Sequence, residues 1–139
     1  MLNKVLVVDD SEALHQVYKV TLRRYKCETI TALSREEGLE KLAENTGVDL
    51  ILIDMNMLRS RMSGLEFIQK VKAQEAYSNI PIIMVTTRGE EYPPEALALT
   101  EGNLVKPFIS REVHSLIEKL LPHAASQPVS VEDKNLTAH

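Results

Sequence analysis

Short apolar runs alternate along the chain with stretches of helical periodicity. The runs that predict strands cover residues 5–8, 28–32, 50–53, 82–85 and 103–105. The first, third and fourth are almost unbroken aliphatic runs, which is typical of strands buried on both faces of a parallel sheet. The pattern therefore predicts five parallel strands.

Between these runs, apolar residues recur at spacings of three and four, as on the buried face of a helix. The four stripes are Leu14, Val17, Tyr18, Leu22 and Tyr25; Leu39, Leu42 and Ala43; Leu65, Ile68 and Val71; and Val113, Leu116, Ile117, Leu120 and Leu121. Residues suited to N-caps precede them: Ser11, Ser34, Ser63 and Ser110, with Glu37 and Glu66 at capping-box spacing. Pro93 and Pro94 begin one more helix, the fourth in chain order, which is predicted over residues 94–101.

Strand and helix alternate five times. This order predicts right-handed crossovers and an α/β fold, a doubly wound five-stranded parallel sheet with helices on both faces. We expect one domain over residues 1–121. Residues 122–139 contain two prolines and no apolar periodicity, so we expect a flexible tail or linker and no output domain.

Composition limits the function classes. The 139 residues are 44% hydrophobic and 26% charged, as in one average globular domain, and the net charge of −4 argues against a surface that wraps nucleic acid. Cys27 is the single cysteine, which excludes an intrachain disulfide and suits a small buried side chain. The N-terminus has no secretory signal and no apolar run approaches the roughly 18 residues of a membrane span. We expect a cytoplasmic protein.

Polar side chains follow the predicted strands at the edge where ligands bind in such sheets. They are Asp9 and Asp10, then Asp54, then Thr86 and Thr87, and finally Lys106. Crowded carboxylates repel one another and persist when a cation neutralises them. An oxygen-only ligand set favours a hard ion, and Mg²⁺ is the natural candidate. Such a cation beside a carboxylate and a lysine suits phosphoryl transfer onto the carboxylate.

Four motifs in order, VLVVDDS, LILIDMNM, IPIIMVTT and VKPF, resemble the receiver domain of two-component response regulators in its stand-alone, chemotaxis-regulator-like form. The resemblance covers about residues 3–121. It implies a flavodoxin-like strand order of 2-1-3-4-5 and signalling by phosphorelay rather than an enzyme's turnover, with the chain catalysing only its own phosphotransfer and slow autodephosphorylation.

The resemblance also assigns roles to residues. Asp54 is the expected phosphoacceptor, and Mg²⁺ is expected on Asp9, Asp10, Asp54 and the backbone carbonyl of Asn56. Thr86 is the expected switch hydroxyl, and Lys106, which precedes a cis peptide bond to Pro107, is expected to pair with the phosphoryl group.

The implied partners are a histidine kinase or a histidine phosphotransfer protein. Downstream, a protein target or a missing output domain is expected, and a second copy of the chain is a candidate partner. Nucleic acid and membrane are not expected partners.

The sequence departs from the family pattern in several places. Gly64 follows Asp54 by ten residues, about two more than usual, and the longer loop carries Arg59 and Arg61, which are solvated side chains or contacts for the phosphoryl group or the kinase. Asn103 stands where an aromatic residue is usual, which puts the usual coupling to Thr86 in question. The segment from residue 86 to 106 is about two residues short, so we expect a remodelled fourth helix. Thr87, Arg88 and Asn56 flank the site and are candidate modulators of phosphate lifetime.

Three alternatives stay open. A degenerate receiver would act by partner contacts alone, although the complete set of acids, threonine and lysine argues against it. An aspartate-nucleophile phosphohydrolase usually has a D-x-D arrangement after its first strand and a cap domain, whereas Asp9 is followed directly by Asp10. A flavodoxin-like nucleotide binder needs a phosphate loop, and VVDDSEA is acidic there.

Overall fold

The computed structural model describes residues 2–58 and 60–121. Its strands are β1 (Asn3–Val8), β2 (Cys27–Ala32), β3 (Val48–Asp54), β4 (Ile82–Thr87) and β5 (Gly102–Lys106). Its helices are α1 (Glu12–Arg23), α2 (Arg35–Glu44), α3 (Gly64–Ala73), α4 (Pro94–Ala98) and α5 (Ser110–Leu120). Arg59 and the expected tail, residues 122–139, lie outside the described residues.

The strands form one parallel sheet in the order β2-β1-β3-β4-β5, which confirms the predicted fold. The chain leaves β1 toward β2 and then crosses back to β3 on the other side. The strand order therefore reverses between β1 and β3, and their carboxyl ends form the crevice where such sheets bind ligands.

Alternate residues of each central strand face opposite layers, which explains the unbroken apolar runs. On one face Val5, Val7, Leu50 and Leu52 pack with residues of α1 and α5, and on the other Leu6, Val8, Ile51 and Ile53 pack with residues of α2 and α3. All eight side chains are buried. The central strands thus form a rigid support for the residues at their ends.

Serine side chains begin three helices as predicted. The hydroxyls of Ser11, Ser34 and Ser63 accept hydrogen bonds from backbone N–H groups three residues ahead. The prediction for Ser110 was wrong, because Ser110 is the first residue of α5 and Ile109 precedes it as the N-cap. There the Glu112 carboxylate accepts from the Ile109 N–H at 3.2 Å, which starts the helix without a serine cap.

Two further expectations differ from the structure. The fourth helix ends at Ala98 rather than near residue 101, since the Glu101 N–H donates to the Ile82 carbonyl at 2.8 Å and draws the chain into β5. Val17, expected on the buried face of α1, is 49% exposed, whereas His15 of the same helix is buried. Cys27 is buried and free, as expected. Over the described ranges, none of the helices combines the length and apolar character that crossing a membrane requires.

Candidate functional site

Three carboxylates converge at the carboxyl ends of β1 and β3. Val8 pairs with Ile53 in the register of these strands, so Asp9 and Asp54 follow side by side. Asp9, Asp10 and Asp54 each offer a carboxylate oxygen, and these oxygens lie within 4.8 Å of one another. Asp9 and Asp54 are only 1% and 4% exposed. The convergence predicted from the sequence is therefore present.

Lys106, the last residue of β5, bridges two of these acids. Its Nζ lies 3.0 Å from Asp9 Oδ2 and 3.1 Å from Asp54 Oδ2. Burial acts to lower the pKa of the Lys106 ammonium, but the charges of Asp54 and Asp9 outweigh burial and raise it. The lysine therefore stays protonated between the two carboxylates. The Lys106–Pro107 peptide bond is cis, as predicted.

Backbone N–H groups orient each carboxylate. Asp54 Oδ1 accepts from the Asn56 N–H at 2.9 Å, and Asp9 Oδ1 accepts from the Ser11 N–H at 2.9 Å. Asp10 Oδ2 accepts from the Leu58 N–H at 3.3 Å. Burial raises the pKa of the Asp54 carboxyl above its usual value, and Asp9 adds to the rise, against the lowering effect of the Asn56 N–H and of Lys106.

The acids fit a hard divalent cation. Asp9 Oδ2 is fully buried and accepts no well-oriented hydrogen bond among the described residues, because Lys106 meets it as an ion pair only. Lys106 pairs with two of the three carboxylates, and Asp10 has no ion pair with it among the described residues. Oxygen donors without nitrogen or sulfur are typical of sites for hard divalent cations. The cluster is an acidic site that could bind a metal ion.

Thr86 lies at the end of β4, one residue beyond Val85, which pairs with Asp54. Its side chain is buried, and its hydroxyl donates to Asn103 Oδ1 at 2.9 Å. The residue that replaces the usual aromatic therefore contacts the expected switch hydroxyl directly. The sequence predicted a changed coupling here and gave no indication of this hydrogen bond.

The other candidate modulators lie at the rim. Thr87 is exposed, and its N–H and hydroxyl both donate to Glu90 Oε1, at 2.7 and 3.1 Å, within the turn after β4. Arg88 and Arg61 are exposed. The expectations that Arg61 contacts the phosphoryl group or the kinase, and that Asn56 gives its carbonyl to the metal, stay predictions; Arg59 lies outside the described residues.

Arg35 is a residue that sequence reasoning missed. This first residue of α2 is 3% exposed, and its guanidinium donates to the backbone carbonyls of Asp54 at 2.9 Å and Met62 at 2.8 Å. Burial lowers its pKa from the usual arginine value, and the charges of Asp54 and Glu36 oppose that effect. Its partners are backbone atoms, so no motif in the sequence identifies the contact.

Comparisons with known proteins agree with this geometry. The family model described as "Response regulator receiver domain" matches residues 5–118. A Chemotaxis protein CheY homolog of Campylobacter jejuni is 37% identical over 123 residues, covering 85% of this chain and 92% of the relative. Chemotaxis protein CheY1 of Helicobacter pylori is 36% identical, covering 85% and 96%.

Solved structures show the same fold. The chemotaxis response regulator CheY4 of Vibrio cholerae superposes with a TM-score of 0.73 at 35% identity, covering 87% of this chain and 100% of that one. Receiver domains of this type are signalling proteins rather than enzymes, and they interact with kinases and downstream targets. With sheet order, acidic cluster and family model in agreement, the chain belongs to the response regulator receiver domains of two-component signalling.

Proposed function

We propose that this chain accepts a phosphoryl group on Asp54 and thereby changes the surface that it presents to partners. The observation that carries the proposal is the meeting of Asp9, Asp10 and Asp54 with Lys106 at one edge of the sheet. A carboxylate held between a lysine and two further acids is suited to receive phosphorus and not to donate a proton. The donor is the phosphohistidine of a histidine kinase or of a histidine phosphotransfer protein.

The transfer is an in-line displacement. A carboxylate oxygen of Asp54 forms a bond to phosphorus as the bond from phosphorus to the donor nitrogen breaks, and the electron pair leaves with the imidazole. The Lys106 ammonium, already 3.1 Å from Asp54 Oδ2, offsets the charge that the phosphoryl oxygens bring. The Asn56 N–H fixes the rotation of the carboxylate through Oδ1.

Asp9, Asp10, Asp54 and the Asn56 carbonyl would hold Mg²⁺. When bound, this cation supplies charge stabilisation for the transferring phosphoryl group. The buried Asp9 Oδ2, which lacks an oriented hydrogen bond, supports this ligand set. Asp10 is only half-buried and keeps an open side toward solvent, as Mg²⁺ requires because it retains several waters.

Phosphorylation adds about −1.5 to −2 charges and three acceptor oxygens at Asp54. Thr86 would leave Asn103 and donate its hydroxyl to one of these oxygens, shifting the balance between two conformations. The neighbouring surface of α4, β5 and the start of α5 carries exposed apolar side chains suited to a partner, namely Leu97, Leu99, Val105 and Ile109. Downstream protein targets, a separate output domain or a second copy would bind there.

Labelling with a small donor tests the proposal. Acetyl phosphate with Mg²⁺ is expected to add one phosphoryl group to the wild-type chain, measured by intact mass, and chelation of the metal is expected to prevent it. Asp54→Asn removes the nucleophile and should abolish the label. Asp49→Asn is a matched control, because Asp49 lies at the opposite end of the same strand, where its carboxylate accepts from the Lys4 N–H.

The outcomes separate the proposal from its rivals. A label that appears in Asp49→Asn but not in Asp54→Asn supports Asp54 as the acceptor. A wild-type chain that takes no label would leave a receiver that acts by partner contacts alone. Steady release of phosphate from a range of phosphate esters would instead indicate a phosphohydrolase.

A further inference from the structure

The first residues of α2 form several hydrogen bonds with the loop that joins β3 to α3. Glu36 Oε2 accepts from the backbone N–H groups of Arg61 at 3.1 Å and Met62 at 2.7 Å. The Arg35 guanidinium donates to the carbonyl of the same Met62 at 2.8 Å, and the Arg35 N–H donates to Ser60 Oγ at 2.8 Å. The backbone N–H and the backbone carbonyl of Met62 are therefore hydrogen-bonded to Glu36 and Arg35, which are adjacent residues of α2.

The same guanidinium reaches the strand that bears the phosphoacceptor. Arg35 Nη2 donates to the Asp54 carbonyl at 2.9 Å, in a contact that is fully buried. A single planar side chain thus joins the Asp54 peptide to the loop beside it, as a guanidinium can through its fixed fork of donors. An ammonium in this place would lack the second fixed donor.

Packing around the guanidinium leaves little freedom. A Cβ added to Gly64, the first residue of α3, would come within 2.6 Å of Met55 Sδ and 3.7 Å of Arg35 Nη2. The loop residue that follows Asp54, the start of α3 and the guanidinium therefore occupy one tightly filled space. Such filling transmits a change at Arg35 to the Asp54 peptide rather than absorbing it.

The burial of Arg35 does not serve mainly to stabilise the fold. Its Nε is buried without a hydrogen-bond partner among the described residues. A buried charge with incomplete pairing commonly costs free energy of folding. This cost favours a role in geometry.

We infer that Arg35 is a positioning residue for phosphoryl transfer, which holds the Asp54 peptide and the β3–α3 loop in one arrangement. The inference rests on the proposed function. Because displacement at phosphorus needs the attacking oxygen in line with the leaving group, small shifts of Asp54 have large effects on rate.

The test compares labelling rates of purified variants in acetyl phosphate and Mg²⁺. Arg35→Met keeps most of the side-chain volume but loses every side-chain hydrogen-bond donor, and we expect about a tenfold lower rate at saturating acetyl phosphate. The donor concentration at half-maximal rate should stay within about twofold, because Arg35 contacts Asp54 through its backbone only. Arg35→Lys keeps the charge and a single donor nitrogen without the planar fork that reaches both carbonyls, and should restore part of the rate.

Two controls separate positioning from general destabilisation. Glu36→Gln weakens the loop contacts but leaves the Asp54 carbonyl bound to Arg35, so its rate should fall less than that of Arg35→Met. Val71→Ala opens a cavity in the core of α3 away from the site and lowers the unfolding midpoint without slowing labelling of the folded fraction.

A readout without label gives a second test. In the free protein, Arg35→Met should increase hydrogen exchange at the Asn56 N–H, which donates to Asp54 Oδ1, while exchange in the central part of β1 stays unchanged. An Arg35→Met chain that labels at the wild-type rate, or one that slows only in proportion to its unfolded fraction, overturns the inference. A wild-type chain that takes no label overturns the proposed function instead.

Discussion

The two halves of the site are held very differently. On the acidic side, where β1 and β3 end, every carboxylate of the cluster accepts a backbone N–H, and the start of α2 holds the adjoining loop at several points. On the other side, near the end of β4, the Thr86 hydroxyl donates to Asn103 Oδ1, and Asn103 is itself exposed. Under the proposed function, the acids that carry the chemistry would be held by backbone groups, and the switch hydroxyl would be held by one exposed side chain.

The helix next to the weakly held half follows the same trend. α4 spans Pro94–Ala98, has no side-chain cap and buries Ala96 alone. By contrast, α3 begins with a Ser63 cap and buries Phe67, Ile68 and Val71. Elements with few buried apolar contacts open at low free-energy cost. If Asp54 is phosphorylated as proposed, we expect α4 and its flanking turns to move more readily than α3.

Removing Lys106 should have the largest effect on this comparison. Lys106→Met deletes the cation that joins β5 to Asp9 and Asp54 and leaves the acids to repel one another. We expect a fall in the rate of acetyl phosphate labelling of about 100-fold. The labelling rate is measured by quenching the reaction at successive times and recording the intact mass.

The control for this substitution is Lys4→Met. Lys4 Nζ donates to the Thr46 carbonyl at the opposite end of the sheet, so its loss should leave the rate unchanged. Equal losses in both variants would contradict the role of Lys106. A Lys106→Met chain that labels normally would show that the two halves of the site work independently.

Substitution of Asn103 should change the labelling rate less than loss of Lys106, and in the opposite direction. Asn103→Ala removes the acceptor that Thr86 must leave, so labelling should become about twofold to tenfold faster, the value of one partly exposed hydrogen bond. Asn103→Asp keeps an acceptor for the Thr86 hydroxyl and should not accelerate labelling. The same time course of intact mass measures both variants, and an unchanged rate in Asn103→Ala would mean that the hydrogen bond does not hold the resting state.

The smallest effect concerns Glu36 and pH. The hydrogen bond from the Met62 N–H is the main cause that lowers the pKa of the Glu36 carboxyl. Because the pKa is lower in the folded state, the ionised carboxylate stabilises the fold, and this stabilisation is complete above the ordinary pKa of glutamate. That contribution is lost as the pH falls through the lowered value. The difference in urea midpoint between wild type and Glu36→Gln should therefore shrink between pH 7 and pH 3, and a difference that widens in acid would contradict this account.

Much of the acidic half could be predicted from the sequence. Asp9 and Asp54 each follow an unbroken apolar run, and parallel strands place their ends at one edge, so convergence follows from the pattern alone. The N-caps Ser11, Ser34 and Ser63 could also be predicted from the sequence, because a serine just before a helical stripe commonly accepts a hydrogen bond from a backbone N–H of the first turn.

The rest depends on contacts between elements that carry no local signal. An arginine at the start of a helix is ordinarily solvated, and the carbonyls that Arg35 binds are present in every residue. Asn103 contacts Thr86 only because β5 lies beside β4, with Thr86 opposite Val105 in their register. Val17 fits the helical stripe of α1 by spacing, but it is 49% exposed, while His15, Tyr18, Thr21 and Leu22 are the buried residues of this helix.

The bridge made by Lys106 has a consequence for biosynthesis. Its partners Asp9 and Asp54 come from the first and third strands, whereas the lysine ends the fifth, and the contact with Asp54 spans 52 residues of sequence. A nascent chain that has emerged only as far as β4 thus carries the acids without their counter-charge. If Asp54 accepts a phosphoryl group as proposed, a chain that ends before β5 should therefore take the group far more slowly than the whole domain.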